Sequence, residues 1–276
     1  MYSSKSEVPS RALVTVPDLL KMKHAGRRIV CVTAYDASFA RVMDRAGVDV
    51  VLVGDSLGMV VQGHTSTLPV SLRDVCYHSA AVARGLASTL LMADLPFQTY
   101  ASPAQAHASA TLLMAEGGAS MVKLEGAGVI LDSIHYLSER DIPVCAHLGL
   151  TPQSVTQLGG FKVQGRDDIA AEKLRRQALE VQQAGASLLV LECIPAALAG
   201  EITEALTIPT IGIGAGPLCD GQVLVMHDLL GLAGRSRRPR FVKNFLQGRD
   251  SVEDAFLAYA TDVREGRFPA AEHIYE

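Results

Sequence analysis

Aromatic residues make up only 5% of the 276-residue chain, and tryptophan is absent. A core built without them must rest on Ala, Val, Leu and Ile, and hydrophobic residues reach 49%. Disulfide chemistry is also missing from the pattern. The five cysteines, Cys31, Cys76, Cys145, Cys193 and Cys219, include no C-x-x-C pair, and their number is odd. That usage fits a reduced, cytoplasmic protein rather than a disulfide scaffold. No apolar run reaches the ~18 residues that span a bilayer, and no secretory signal precedes the first apolar segments. No membrane contact is expected. Long basic stretches are lacking too. Net charge is −4, and "RSRRPR" at 235–240 stands alone. One small cluster does not make an extended basic face, so it reads as a solvated loop and no nucleic-acid partner is expected. The polar start, residues 1–15, reads as a flexible tail.

What is present is a repeated alternation. An apolar strand is followed by a polar or Gly-rich turn and then an amphipathic helix. "RRIVCVTAYD" (27–36) leads into the helix "ASFARVMDRAG" (37–47), and "VDVVLVGDS" (48–56) is the next strand. The pattern continues through "STLLMADLP" (88–96), "ASMVKLEG" (119–126), "IPVCAHLG" (142–149), "SLLVLECIP" (187–195), "IPTIGIGAG" (208–216) and "DGQVLV" (220–225). A polar, Gly-rich loop is expected from about 150 to 165. Alternation of this kind requires parallel strands joined by helical crossovers. About eight units in this length predict an α/β fold, a single (β/α)8 TIM barrel over residues 1–276. A doubly wound open sheet is the alternative.

The strand ends share a feature. "RAGVDVVLVGD", "EGGASMVKLEG" and "QAGASLLVLEC" each run from a helix-ending Gly through an apolar strand to an acid. The acids are Asp55, Glu125 and Glu192, and "TLLMADLP" adds Asp94. A parallel barrel brings all these ends to one face. Any one of these acids could be a cap or an ion-pair partner. Together they repel, and a hard cation such as Mg²⁺ is the natural neutraliser for oxygen ligands alone. Lys123 lies two residues before Glu125 and shares its face. It is either a counter-ion to the acids or a holder of an anionic substrate. His147 also ends a strand and is either structural or functional. Apolar neighbours on its strand set Glu192 apart, and desolvation would suit it to general-base work. Cys193 reads as small apolar packing. The glycines of "IGIGAG" (211–216) lack phosphate-loop spacing and read as close packing.

The chain resembles the ketopantoate hydroxymethyltransferase family. The resemblance rests on "VTAYD" (32–36), "VLVGDSLGMVVQGHTSTLPV" (51–70), "DLPF" (94–97), "VKLEG" (122–126), "AHLGLTPQS" (146–154) and "IGIGAGPLCDGQVLVMHDLLG" (211–231). Small departures are Ser71, Ala146 and the pair Gln98-Thr99, none of them among the acids. The resemblance implies a barrel of the phosphoenolpyruvate/pyruvate type, commonly a homodecamer. It implies one-carbon transfer from 5,10-methylenetetrahydrofolate to 2-oxoisovalerate for pantothenate synthesis. Asp55, Asp94 and Glu125 would form the Mg²⁺ site. Asp55, Ser56, Asp94, Lys123 and His147 would meet the oxo acid, and Glu192 would be the base. The scarcity of aromatics leaves the folate pocket unmarked. A related barrel lyase or mutase acting on an oxo acid, and a non-catalytic metal-dependent carboxylate-binding protein, are the other readings.

Overall fold

The computed structural model describes residues 11–232 and 238–276. Eight strands close in chain order into one parallel barrel. They are β1 (Ile29–Thr33), β2 (Val50–Val53), β3 (Leu90–Asp94), β4 (Met121–Glu125), β5 (Val144–Gly149), β6 (Leu188–Glu192), β7 (Thr210–Ile213) and β8 (Gly221–Leu224). Closure is made by β1 against β8, with Ile29 beside Gly221 and Val32 beside Leu224. That pairing excludes the open doubly wound sheet. The strands are buried nearly throughout, as continuous apolar sequence requires of a parallel sheet covered on its outer face.

The covering helices begin where capping chemistry places them. Asp36 accepts from the backbone N–H groups of Ser38 and Phe39 at the start of the helix Ala37–Arg45. Ser102 does the same for Gln105, ahead of Pro103 at the first helical position. Further helices span Leu72–Ala83, Leu131–Ser138, Asp168–Gln183, Ala196–Ala205 and Val252–Arg264. The β7–β8 connection, residues 214–220, carries no helix. The loop after β5 is not wholly irregular. It holds a 3-10 turn, Pro152–Ser154, and one helical turn, Val155–Leu158.

The N-terminal face of the barrel is locked by charge. Asp49 is fully buried and ion-paired with Arg11, Arg27 and Arg264, and it accepts from the backbone N–H of Val30. This shortens the expected tail. Residues 1–10 lie outside the described residues, whereas Arg11 also bonds Gly47 O and Val14 N–H donates to Ser88 O at 2.8 Å. A helix, Val16–His24, follows at once with Leu19 and Met22 buried. Of the Arg-rich stretch 235–240, residues 235–237 lie outside the described residues. All five cysteines are buried and free. Among the described residues no helix is long and apolar enough to cross a membrane.

Candidate active site

The C-terminal ends of the strands open on one cavity of about 860 Å³. Its lining includes Asp55, Ser56, Asp94, Lys123, Glu125, His147 and Glu192, the full set picked out from the sequence. Barrel register explains the convergence. Asp94 stands beside Lys123, Glu125 beside His147, and Gly149 beside Glu192 across neighbouring strands. Lys123 and Glu125, two apart on β4, both turn into the mouth.

The contacts form a connected chain of charged groups. Lys123 Nζ is ion-paired with Asp94 Oδ1 and lies 3.5 Å from His147 Nδ1. His147 sits between two acids, with Nδ1 3.3 Å from Glu125 Oε1 and Nε2 3.2 Å from Glu192 Oε2. The Asp55 backbone N–H donates to Asp94 Oδ2 at 3.0 Å. Gly54 allows that approach, because a Cβ there would sit 3.2 Å from the same oxygen. Ser56 Oγ is 2.8 Å from the hydroxyl of Tyr35, which comes from the "VTAYD" stretch after β1.

Sequence reading did not single out Gln153. Its side chain is buried and acts as a bracket. Nε2 donates to Asp55 Oδ2 (2.9 Å) and to Leu95 O (3.1 Å). Its backbone N–H donates to Glu125 Oε2 (3.0 Å), and its Oε1 accepts from the Tyr100 hydroxyl (2.6 Å). Gln153 thus ties the acids of β2 and β4 to the end of β3. No residue type announces this role. Only its place in the "LTPQS" turn after β5 could have suggested it.

Electrostatics follow from burial and crowding. Burial, with Asp94 and Glu125 beside it, pushes the Asp55 carboxyl up to about 8. Burial also raises Asp94, although Lys123 opposes the rise. Burial and Lys123 would lower the His147 imidazole, but Glu125 and Glu192 outweigh them and hold it up at about 9. Burial would likewise depress Lys123, yet Asp94, Glu125 and Asp55 keep it charged. Glu192 differs from the expected apolar setting. Its carboxylate faces His147, and its side chain is 15% exposed, against 3% for those of Asp94 and His147. The residue after it, Cys193, takes a left-handed φ of 48°, so the chain turns sharply just beyond Glu192.

The donor set fits a divalent cation in one arrangement. Asp94 Oδ1, Glu125 Oε1 and His147 Nε2 are buried, and their partners are the charged groups Lys123, His147 and Glu192. Asp55 and Asp94 lie adjacent and are hard to ionise together. No group of three or more His, Cys, Asp or Glu forms a cage for a metal among the described residues. Glu125, expected as a third carboxylate, is engaged by His147 and by Gln153 N–H. Two carboxylates suit Mg²⁺, which keeps several waters or substrate oxygens.

A closed parallel barrel with titratable groups of both signs converging on one large C-terminal cavity defines a (β/α)8 barrel enzyme. Solved structures share the fold. Phosphonopyruvate hydrolase in complex with oxalate and Mg²⁺ aligns with a TM-score of 0.60 at 14% identity, over 79% of this chain and 83% of that one. 2,3-Dimethylmalate lyase, a member of the PEP mutase/isocitrate lyase superfamily, aligns at 0.58 with 18% identity, over 80% and 84%. The chain belongs to the ketopantoate hydroxymethyltransferase family, which it matches over residues 13–271. It is 62% identical over 261 residues to the 3-methyl-2-oxobutanoate hydroxymethyltransferase of Xanthomonas euvesicatoria pv. vesicatoria (strain 85-10), covering 95% of this chain and 96% of that one. The same named protein of Xanthomonas axonopodis pv. citri (strain 306) is 61% identical over the same shares. The family is one of transferases.

Proposed function

We propose that the chain transfers a hydroxymethyl group from 5,10-methylenetetrahydrofolate to 2-oxoisovalerate, yielding ketopantoate for pantothenate biosynthesis. The observation that carries this reading is the mouth itself. At its floor, among the described residues, four carboxylates, Asp55, Asp94, Glu125 and Glu192, stand with the cations Lys123 and His147. With all six ionised, a divalent cation balances the excess. Asp55 and Asp94 would hold Mg²⁺, and Glu125 would support the site through His147 and Gln153. Bound there, the metal supplies Lewis-acid polarisation of the oxo acid. A protein of the same fold is recorded with oxalate and Mg²⁺, a small dicarboxylate similar in size to the head of an oxo acid.

The protein's own groups do the rest. Lys123 and Ser56 hold the substrate carboxylate, Lys123 as a point charge and Ser56 through its hydroxyl. His147, kept cationic by its two acids, donates to the substrate and fixes its orientation. Glu192 takes the proton from C3, and its access to the cavity matches that task. The C3 carbanion then forms a C–C bond to the folate methylene carbon as the first of that carbon's two C–N bonds breaks, and the freed nitrogen takes a proton. Water replaces the second folate nitrogen on that carbon and gives it a proton, which leaves the hydroxyl group on the product and releases tetrahydrofolate. A cytoplasmic homo-oligomer, a decamer by resemblance, completes the reading.

The test is turnover with all components and with each withheld. Product should require 2-oxoisovalerate, methylenetetrahydrofolate and Mg²⁺ together, and chelation should abolish it. Product formed from an oxo acid without folate would replace this reading with lyase or mutase chemistry.

A further inference from the structure

The cavity is larger than its floor needs. About 860 Å³ falls in the range that encloses a drug-sized ligand, well beyond a five-carbon oxo acid. The extra space has a different chemistry. Asp55, Asp94, Glu125 and Lys123 stand at the ends of β2, β3 and β4, on one side of the mouth. The opposite side, over β6, β7 and β8, is walled by Phe161, Lys162, Arg238, Arg240, Phe241 and Tyr275. Glu192 and Cys193 line the cavity between the two halves.

This wall is assembled from segments far apart in sequence. The rings of Phe241 and Tyr275 meet edge to face with centroids 6.5 Å apart. Both close on the end of β7 because Gly214 has no side chain. A Cβ there would lie 2.8 Å from Phe241 Cδ1 and 3.2 Å from Tyr275 Cε2. The Tyr275 carbonyl accepts from Ala196 N–H at 3.1 Å, and Arg240 Nε donates to Glu272 O at 3.1 Å, so the C-terminal segment is fastened to the rim. Phe161 stands on the loop after β5 with 60% of its surface exposed. Lys162, Arg238 and Arg240 bring three cations to this wall, which the buried Asp228 also lines. Exposed aromatic surface beside a cluster of cations, at the rim of a cavity with an acidic floor, matches a flat ligand carrying carboxylates.

We propose that this wall is the folate subsite, with the aromatic body of the co-substrate against Phe161, Phe241 and Tyr275 and its glutamate carboxylates on Lys162, Arg238 and Arg240. The assignment rests on the hydroxymethyl-transfer reading above. It places the methylene donor on the side of Glu192 away from the metal-binding acids. The carbon acid and the one-carbon unit then approach from opposite halves of one cavity.

The test uses the full-length protein and two variants, Phe161→Ala and Arg238→Gln combined with Arg240→Gln. These residues are at the surface, and circular dichroism with thermal melting checks that the fold is kept. The KM for methylenetetrahydrofolate should rise about tenfold in the double variant and roughly three- to tenfold in Phe161→Ala. The KM for 2-oxoisovalerate should stay within about twofold, since its binding groups lie on the other half. Calorimetric binding of tetrahydrofolate should weaken in parallel with the folate KM. If the parent uses the folate while both variants keep the parental folate KM, the subsite is misplaced and the transfer reading stands. If the parent neither binds tetrahydrofolate nor uses its methylene form, both fall together.

Discussion

Asp55→Asn should make the metal-stripped protein less sensitive to rising pH while removing its activity. Burial and the neighbouring Asp94 and Glu125 lift the Asp55 carboxyl from an ordinary 3.8 to about 8. A carboxyl raised in the folded state contributes stability that is complete at low pH and is lost as pH climbs toward the folded value. The loss is about 1.4 kcal/mol per pH unit across that window. Between about pH 5.5 and about pH 7.5, Asp55 therefore costs the parent up to about 3 kcal/mol that a neutral amide does not. Asparagine preserves the shape, and its carbonyl oxygen can still accept from Gln153 Nε2. For a chain of this length the difference is roughly 5–10 °C in Tm. His147, raised to about 9, adds a slope of the same sign to both proteins, because a raised histidine loses its contribution as pH rises through that value. The assay is differential scanning calorimetry in chelator at the two pH values, repeated with excess Mg²⁺. The Tm gap between variant and parent should widen toward the higher pH, and Mg²⁺ should close it by stabilising the parent. Parallel pH dependence in chelator would refute the idea that Asp55 carries the strain of crowded acids.

Three other changes test the surrounding structure. Gln153→Leu removes the bonds to Asp55 and Leu95 and the acceptor for Tyr100, so Mg²⁺ affinity measured by titration calorimetry should fall about 10- to 100-fold while Lys123 and Ser56 keep their places. Asp49→Asn leaves three arginines without their carboxylate on the face opposite the site, and urea unfolding should show a loss of about 2–3 kcal/mol with the KM values unchanged. Gly149→Ala places a Cβ 2.2 Å from Glu192 O at a residue with φ of 95°, so Glu192 must shift, and kcat should fall more than Tm predicts.

Strand identity, barrel class and the gathering of acids were legible because they depend on local pattern. A short strand ending on Asp or Glu reads alike at Asp94, Glu125 and Glu192, apolar throughout before Asp94 and Glu192 and broken only by Lys123 before Glu125, and a parallel barrel turns equal position along a strand into proximity. Interactions set by closure were not legible. Nothing local pairs Tyr100 with Gln153, or shows that Glu125 meets His147 and the Gln153 N–H. The environment of Glu192 was half right: its strand is apolar, but its carboxylate meets an imidazole from β5. Arg238 and Arg240 read as part of a solvated loop; they are exposed, and they also line the mouth. The aromatic wall was invisible because Phe161, Phe241 and Tyr275 lie far apart in the chain and meet only through the fold.

The most direct test of the central claim is solvent exchange of the C3 proton of 2-oxoisovalerate, followed by proton NMR in deuterated buffer with Mg²⁺ and without folate. The parent should exchange that proton, and Glu192→Gln should bind the oxo acid yet exchange it at least about a hundredfold more slowly, as the loss of a general base requires. Exchange at the parental rate in Glu192→Gln would contradict the assignment of Glu192 as the base.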